Sequence, residues 1–316
     1  MIHAKVPKNK AQENILILKQ RNMIAKGFQI IRVGEDVLIP LNEDTPAMPE
    51  GIEKVDVEGK TRQERAYPMK HSGSFDVIGK IAIVKVKSLE KARQISDSIM
   101  MTKRGIDTVY YGGKLNGSER VRSLLLLGGT DNPVTIHREN GLRFRVDVSK
   151  AYFSPRLATE RKILSDGVRN GERILDLFAG VGPFSITAAS RSECSIDAVD
   201  INREAVELMS ENIALNRMKG TVKPICADAA DFLGKTKTKY DRIIMNLPMK
   251  SPDYLGMAAA HVKSGGIINL YVISDVENLT GTMERARALG LSLVGKRIVH
   301  GYSKDKNLYS LELRKE

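Results

Sequence analysis

A chain of 316 residues with 42% hydrophobic content is too long for one compact core and ordinary for a globular protein, so two or three domains are expected. Two cysteines, Cys194 and Cys226, and five scattered histidines exclude a disulfide framework and give no metal-ligand spacing; no apolar run is long enough to span a bilayer, and Met1–Lys5 has no signal-peptide core. The expectation is a cytoplasmic protein without a metal. The net charge of +12 is uneven, with 26 Lys+Arg against 18 Asp+Glu over residues 1–150 and 24 against 20 beyond. Basic side chains that neutralise phosphates reward a polyanionic partner, so nucleic acid is the natural one.

In chain order, Lys10 to Lys26 places Ile15, Leu16, Leu18, Met23 and Ile24 at helical spacing, and Gly27 could end that helix. Phe28–Val33 and Val37–Pro40 read as strands around a Gly34-Glu35-Asp36 turn, and the charged stretch from Glu58 to Ser74 reads as a linker. This gives a small α+β module over residues 1–64. A second α+β region, 65–150, holds a strand with a glycine kink or turn at Asp76–Val86 and a helix over Ser88–Met101 with Ser88 as cap. Further strands follow at Thr108–Tyr111, Ser123–Leu127, Thr135–His137 and Leu142–Val148, the last alternating as a half-buried strand does.

From Ala151 the pattern changes to alternating strand and helix, which predicts an α/β, Rossmann-like doubly wound sheet over 151–316. Strands are expected at Arg173–Phe178, Ser195–Asp200, Lys223–Asp228, Tyr240–Asn246 and Gly266–Ile273, with helices at Phe184–Ser190, Arg203–Asn216 and Val276–Leu289. Gly295–Tyr302 and Asn307–Arg314 read as a closing antiparallel pair. The first strand runs into Asp176-Leu177-Phe178-Ala179-Gly180-Val181-Gly182-Pro183-Phe184, an acid and a glycine turn opening a helix. Gly180 and Gly182 let a ligand approach the backbone, and the helix amides that follow can bind a polar group. Ser185 stands where a dinucleotide fingerprint has its third glycine, which argues against that cofactor. Asp176, Asp200 and Asp228 fall at or near the ends of the first three strands, and Asp200 lies twenty residues after Gly180, the interval at which an acid meets ribose hydroxyls.

This loop and its acids resemble the cofactor site of class I, S-adenosylmethionine-dependent methyltransferases. A longer resemblance covers the chain from about Phe75 to its end. It rests on Ser118–Leu124, Thr135–Gly141, Val146–Arg161, Asp176–Phe184 and Ile243–Pro248, and is to the archaeal and eukaryotic tRNA guanine-N1 methyltransferases, which modify the guanosine 3′ of the anticodon. The first module is similar to that family's tRNA-binding domain more loosely.

The resemblance implies S-adenosylmethionine as cofactor, held by Arg161, Asp176, Gly180, Gly182, Asp200, Ile201, Asp228, Ala229 and Asn246. Arg161 would meet the cofactor's polar end, and Asp228 and Ala229 the adenine. It implies tRNA as substrate, gripped at the anticodon stem-loop and the outer corner; a monomer is expected because no extra apolar face stands out in the sequence. Guanine N1 carries a proton and is not nucleophilic until that proton leaves, when charge builds on O6. The resemblance makes Glu160 the base and Arg120 the O6 partner, with Arg122 its runner-up. Asn246 bridges cofactor and guanine, and Tyr152 and Pro248 join the substrate contacts. Asn246-Leu247-Pro248 departs from the Asn-Pro-Pro-aromatic of amino-methylating enzymes, against an exocyclic amine as acceptor. The alternatives are aminocarboxypropyl transfer, or methylation of a wyosine precursor, at the same position, and a non-catalytic tRNA-binding protein.

Overall fold

The computed structural model describes residues 1–25, 28–45, 48–49, 51–59, 74–116 and 121–316. The chain divides into two compact units, 1–71 and 72–316. In the first, β1 (Ile2–Pro7), α1 (Ala11–Gln20), β2 (Ile31–Val33), β3 (Asp36–Pro40) and β4 (Glu53–Asp56) form an antiparallel sheet of order β2-β3-β1-β4 with one helix. Leu18 packs with Ala4, Val6, Val37 and Ile39 in its core. The expected helix to Lys26 is cut short: Asn22 takes a left-handed φ of 53°, and the chain turns so that Met23 joins the core. The expected stop at Gly27 lies outside the described residues, as does most of the Glu58–Ser74 stretch.

The second unit opens with β5 (Ser74–Ile78), β6 (Ile81–Lys85), α2 (Leu89–Thr102), β7 (Thr108–Asn116) and β8 (Val121–Gly129), a four-stranded sheet in that strand order. Of the glycine kink or turn expected within Asp76–Val86, the turn is what forms: Gly79 adopts φ 54° and folds the segment into a hairpin. Ser88 caps α2 by accepting from the Lys91 amide. A separate hairpin, β9 (Val134–Glu139) with β10 (Leu142–Asp147), follows. Its Phe144 and Val146 share a core with Ile78, Ile81 and Tyr110 of the preceding sheet. Residues 74–116 and 121–150 therefore sit in the same unit as the sheet that comes next.

That sheet is built from β11 (Arg173–Asp176), β12 (Ser195–Asp200), β13 (Thr221–Cys226), β14 (Tyr240–Met245), β15 (Val262–Ser274), β16 (Leu291–Gly301) and β17 (Asn307–Lys315). Its order is β13-β12-β11-β14-β15-β17-β16, the first five parallel and the last two antiparallel, the doubly wound arrangement with a terminal hairpin that the pattern predicts. Successive side chains of a strand face opposite ways. Ile174 and Ile244 thus pack with α3 (Ala158–Asp166), α4 (Pro183–Arg191) and α5 (Arg203–Leu215). Leu175 and Ile243 pack with α6 (Ala229–Lys235), α7 (Leu255–His261) and α8 (Val276–Ala288) on the other face. Each such fully buried aliphatic contributes about 1.5–3 kcal/mol, so both faces anchor the strand ends that carry the acids.

Candidate active site

The turn after β11 is pinned on both sides: the Leu177 amide donates to Ile244 O at 3.0 Å and the Ala179 amide to Val199 O at 2.9 Å. Gly180 and Gly182 have φ of 56° and 83°, where a side chain is strained. At Gly182 space forbids one as well, since a Cβ would lie 2.7 Å from Met209 Cγ and 3.1 Å from Ile186 Cδ1. The loop that brings the backbone forward is therefore fixed by the helices behind it.

Asp176 is 1% exposed. Its Oδ2 accepts from Ser185 Oγ at 2.8 Å, while Oδ1 is buried with no hydrogen-bond partner among the described residues. Burial pushes this carboxyl up to about 7, against the pull of Ser185 and the Phe178 amide. Ser185 thus occupies the place of a third glycine because it is needed as a donor to the acid behind the turn. Asp200 does a related job. Its Oδ2 accepts from the Gly180 amide at 2.7 Å and its Oδ1 from the Asn202 amide at 2.9 Å, so the ribose candidate also shapes the loop. Carboxylate oxygens have lone pairs enough for both tasks. Ile201, next along, is 40% exposed, an apolar surface for a purine face. Asp228 caps α6 through Oδ1, which accepts from the Ala230 and Asp231 amides at 2.8 and 3.1 Å; Oδ2 makes no hydrogen bond among the described residues.

Beyond β14, Asn246 has a second buried orphan, its Oδ1. The loop around it is rigid: Ser251 Oγ accepts from the Leu247 amide and donates to Met245 O, both at 2.9 Å, and the Ile273 amide donates to Pro248 O at 3.1 Å. Two buried acceptors without donors at the ends of β11 and β14 are costly unless a ligand supplies the donors. S-adenosylmethionine fits that demand, with an ammonium group, a ribose diol and an adenine to offer to Asp176, Asp200 and the Ile201–Ala229 edge.

Glu160 lies on α3, 4% exposed. Its Oε1 accepts from Tyr271 Oη at 3.1 Å and from Arg297 Nη2 at 2.5 Å. The Tyr271 ring stands 5.4 Å from that of Phe184, in the first turn of α4, so the carboxylate neighbours the helix that leaves the glycine loop. Tyr152 reaches the same place, its carbonyl oxygen 3.8 Å from where a Cβ on Gly180 would sit.

Arg161, expected at the cofactor's polar end, is 1% exposed, with Nε and Nη2 each 2.5 Å from the two carboxylate oxygens of Glu139 and Nη2 also donating to Ser154 O at 3.0 Å. Its guanidinium lies over Phe153 and Phe184. A fork so committed is a strut between β9 and α3. His137 extends it: Nδ1 accepts from the Gly79 amide at 3.1 Å, which leaves the proton on Nε2, 3.5 Å from Glu139 Oε2. Burial raises the Glu139 carboxyl, but His137 and Arg161 outweigh it and hold it below the usual carboxylate range.

Arg120 lies outside the described residues, and Arg122 sits on β8 opposite Leu115. Asp176 leads into the turn of Gly180 and Gly182, Asp200 of β12 is tied to it through the Gly180 amide, and the Tyr152 carbonyl lies beside it, while Glu160 connects to α4 through the Tyr271 ring. Sequence reasoning missed Tyr271, Arg297 and Glu139. Glu139 was within the Thr135–Gly141 stretch; Tyr271 and Arg297 carry no local signal, since each meets Glu160 across more than 100 residues.

Residues 135–289 match the model of the TRM5/TYW2 methyltransferase domain, and residues 4–49 that of the tRNA methyltransferase 5 N-terminal domain. The tRNA (guanine(37)-N(1))-methyltransferase Trm5b of Pyrococcus abyssi is 38% identical over 251 residues, 76% of this chain and 74% of that one. Its namesake from Methanocaldococcus jannaschii is 29% identical over 98% of this chain and 97% of its own. The structure of aTrm5 in complex with tRNALeu superposes with a TM-score of 0.84 at 28% identity, covering all of both chains. A tRNA(Phe) (4-demethylwyosine(37)-C(7)) aminocarboxypropyltransferase of Pyrococcus horikoshii matches less, 30% over 53% of this chain and 59% of its own. With its sheet order, its glycine loop and both family models in agreement, the chain belongs to the TRM5/TYW2 family, on the side of the tRNA (guanine(37)-N(1))-methyltransferases.

Proposed function

We propose that Glu160 takes the N1 proton of guanosine 37 in tRNA while a methyl group moves from S-adenosylmethionine to that nitrogen, giving 1-methylguanosine beside the anticodon. The observation that carries this reading is the carboxylate of Glu160, buried and held by two donors next to the helix that follows the glycine loop. When bound, the cofactor supplies an electrophilic methyl on a sulfonium. The chain's own residues do the rest. Asp176 accepts the cofactor's ammonium at Oδ1, Asp200 the ribose hydroxyls, and Ile201, Asp228 and Ala229 frame the adenine. Asn246 Oδ1 accepts from the guanine edge and, with Pro248, holds N1 in line with the methyl. Tyr152 packs on the extruded base. Arg120, or Arg122 in its stead, meets the charge that grows on O6, and a charge-assisted bond there is worth about twice a neutral one.

The three-part division is part of the same reading: residues 1–64 grip tRNA away from the anticodon, 65–150 supply the arginine, and 151–316 carry the chemistry. Monomeric action in the cytoplasm fits it, and no helix among the described residues is long and apolar enough to cross a membrane. The test is incubation with labelled S-adenosylmethionine and unmodified tRNA, followed by nucleoside analysis. The expected product is 1-methylguanosine at position 37. A mass increment of one aminocarboxypropyl group, or no product despite tRNA binding, would replace this reading with one of its rivals. Glu160→Gln should slow methyl transfer by ~10²-fold or more with cofactor affinity nearly unchanged.

A further inference from the structure

Arg297 is the charged partner of Glu160 that the reaction as described does not use. It lies on β16, in the terminal antiparallel pair, and its side chain is 42% exposed while that of Glu160 is 4%. Nη2 donates to Glu160 Oε1 at 2.5 Å and to Ser310 Oγ of β17 at 3.4 Å. Among the described residues, the titratable and charged groups facing the carboxylate are Arg297 from β16 and the Tyr271 phenol from β15, with α4 contributing only the Phe184 ring. The neighbouring Arg161 is engaged by Glu139 instead. Glu160 is thus met by one cation and one neutral donor on the same oxygen, which leaves Oε2 for another partner.

We propose that Arg297 is a positioning residue for the methyl transfer, holding the Glu160 carboxylate oriented before guanine arrives and taking up the ion pair again once the proton has left. The inference rests on the reading of Glu160 as the base. In that step the N1–H bond breaks and its proton goes to Glu160; the N1 lone pair forms the new N–C bond as the C–S bond breaks, its electrons returning to sulfur. Guanine N1 and the sulfur end neutral and Glu160 ends as a carboxylic acid. Arg297 then faces an uncharged partner. Loss of the proton to solvent restores the ion pair, so the same contact resets the base for the next turnover.

The test is the pH dependence of single-turnover methylation of unmodified tRNA by the full chain, saturated with S-adenosylmethionine. Arg297→Gln should move the acid limb up by about one pH unit, the low end of what an opposite charge at this distance does, because the pair is partly exposed. Below both midpoints that is about tenfold slower transfer, and the alkaline plateau should be kept. Arg297→Lys should return part of the shift, and Tyr271→Phe should move the limb the same way by less. An unmoved limb in Arg297→Gln, or an equal loss at every pH, overturns the inference. Should the Gln variant not fold, a wild-type limb in Arg297→Lys together with Tyr271→Phe does the same. Glu160→Gln separates the two levels: a nearly inactive enzyme keeps the base and leaves only the role of Arg297 in question, while a wild-type rate removes both.

Discussion

The carboxyl ends of β11 and β14 and the first turn of α3 solve opposite problems with buried polar groups. At the strand ends, Asp176 Oδ1 and Asn246 Oδ1 have no donors among the described residues. On α3, Glu160 and Arg161 are paired, the one at Oε1 by Tyr271 and Arg297, the other by Glu139 and Ser154. Unpaired acceptors cost stability in the free protein and are the places where a ligand gains most. Paired charges are already positioned. The contrast also separates two adjacent residues: Glu160 is partnered by a phenol and a half-exposed arginine, Arg161 by a buried carboxylate fork.

The contrast is broken most severely at the strut. Glu139→Ala should cost about 3–5 kcal/mol in chemical denaturation, because it strands the Arg161 guanidinium in the interior. A loss below ~1 kcal/mol would show that Arg161 is free to turn elsewhere. The ligand side is sharpened by pH. With its carboxyl pushed up to about 7 from 3.8, Asp176 contributes stability to the cofactor-free protein only while protonated. That contribution is complete below about 4 and is lost as pH rises through 7, a span worth a few kcal/mol by linkage. Asp176→Asn should flatten this slope in urea melts at acidic and mildly alkaline pH while weakening S-adenosylmethionine binding by tenfold or more, about 1.4 kcal/mol. A wild-type slope in the variant would assign the titration to another group.

Gly182→Ala probes the frame beneath both regions. The φ of 83° and the 2.7 Å approach to Met209 Cγ should together cost about 2 kcal/mol, read as a lower Tm. Asp200→Ala, the mildest, should cost about 1 kcal/mol of stability through the Gly180 and Asn202 amides it releases, with cofactor affinity falling further in calorimetry. Unchanged affinity would remove Asp200 from the ribose.

Much of this was legible. Strand–helix alternation after Ala151, the Asn202 and Ser88 caps and the glycine turn are local patterns, so they gave the sheet, its terminal hairpin and the loop nearly at their observed positions. The α1 boundary was misread because Asn22, a residue that tolerates left-handed φ, ends the helix before its apolar spacing does. Glu160 and Arg161 were given separate roles by family resemblance, but their partners Tyr271, Arg297 and Glu139 were not legible.

Sequence by itself determined what depends on neighbours along the chain: periodicity chooses strand or helix, glycines permit the turn, and an acid at a strand end is carried to the sheet's binding edge. Tertiary structure alone decided the protonation and commitment of those acids. Asp176 is buried with its Oδ1 unpartnered among the described residues, and Arg161 is engaged by Glu139, 22 residues earlier. Glu160 is held by an arginine 137 residues away. Electrostatic environment in a buried site is set by groups within a few ångströms, and nothing in the local spacing of residues records which those are.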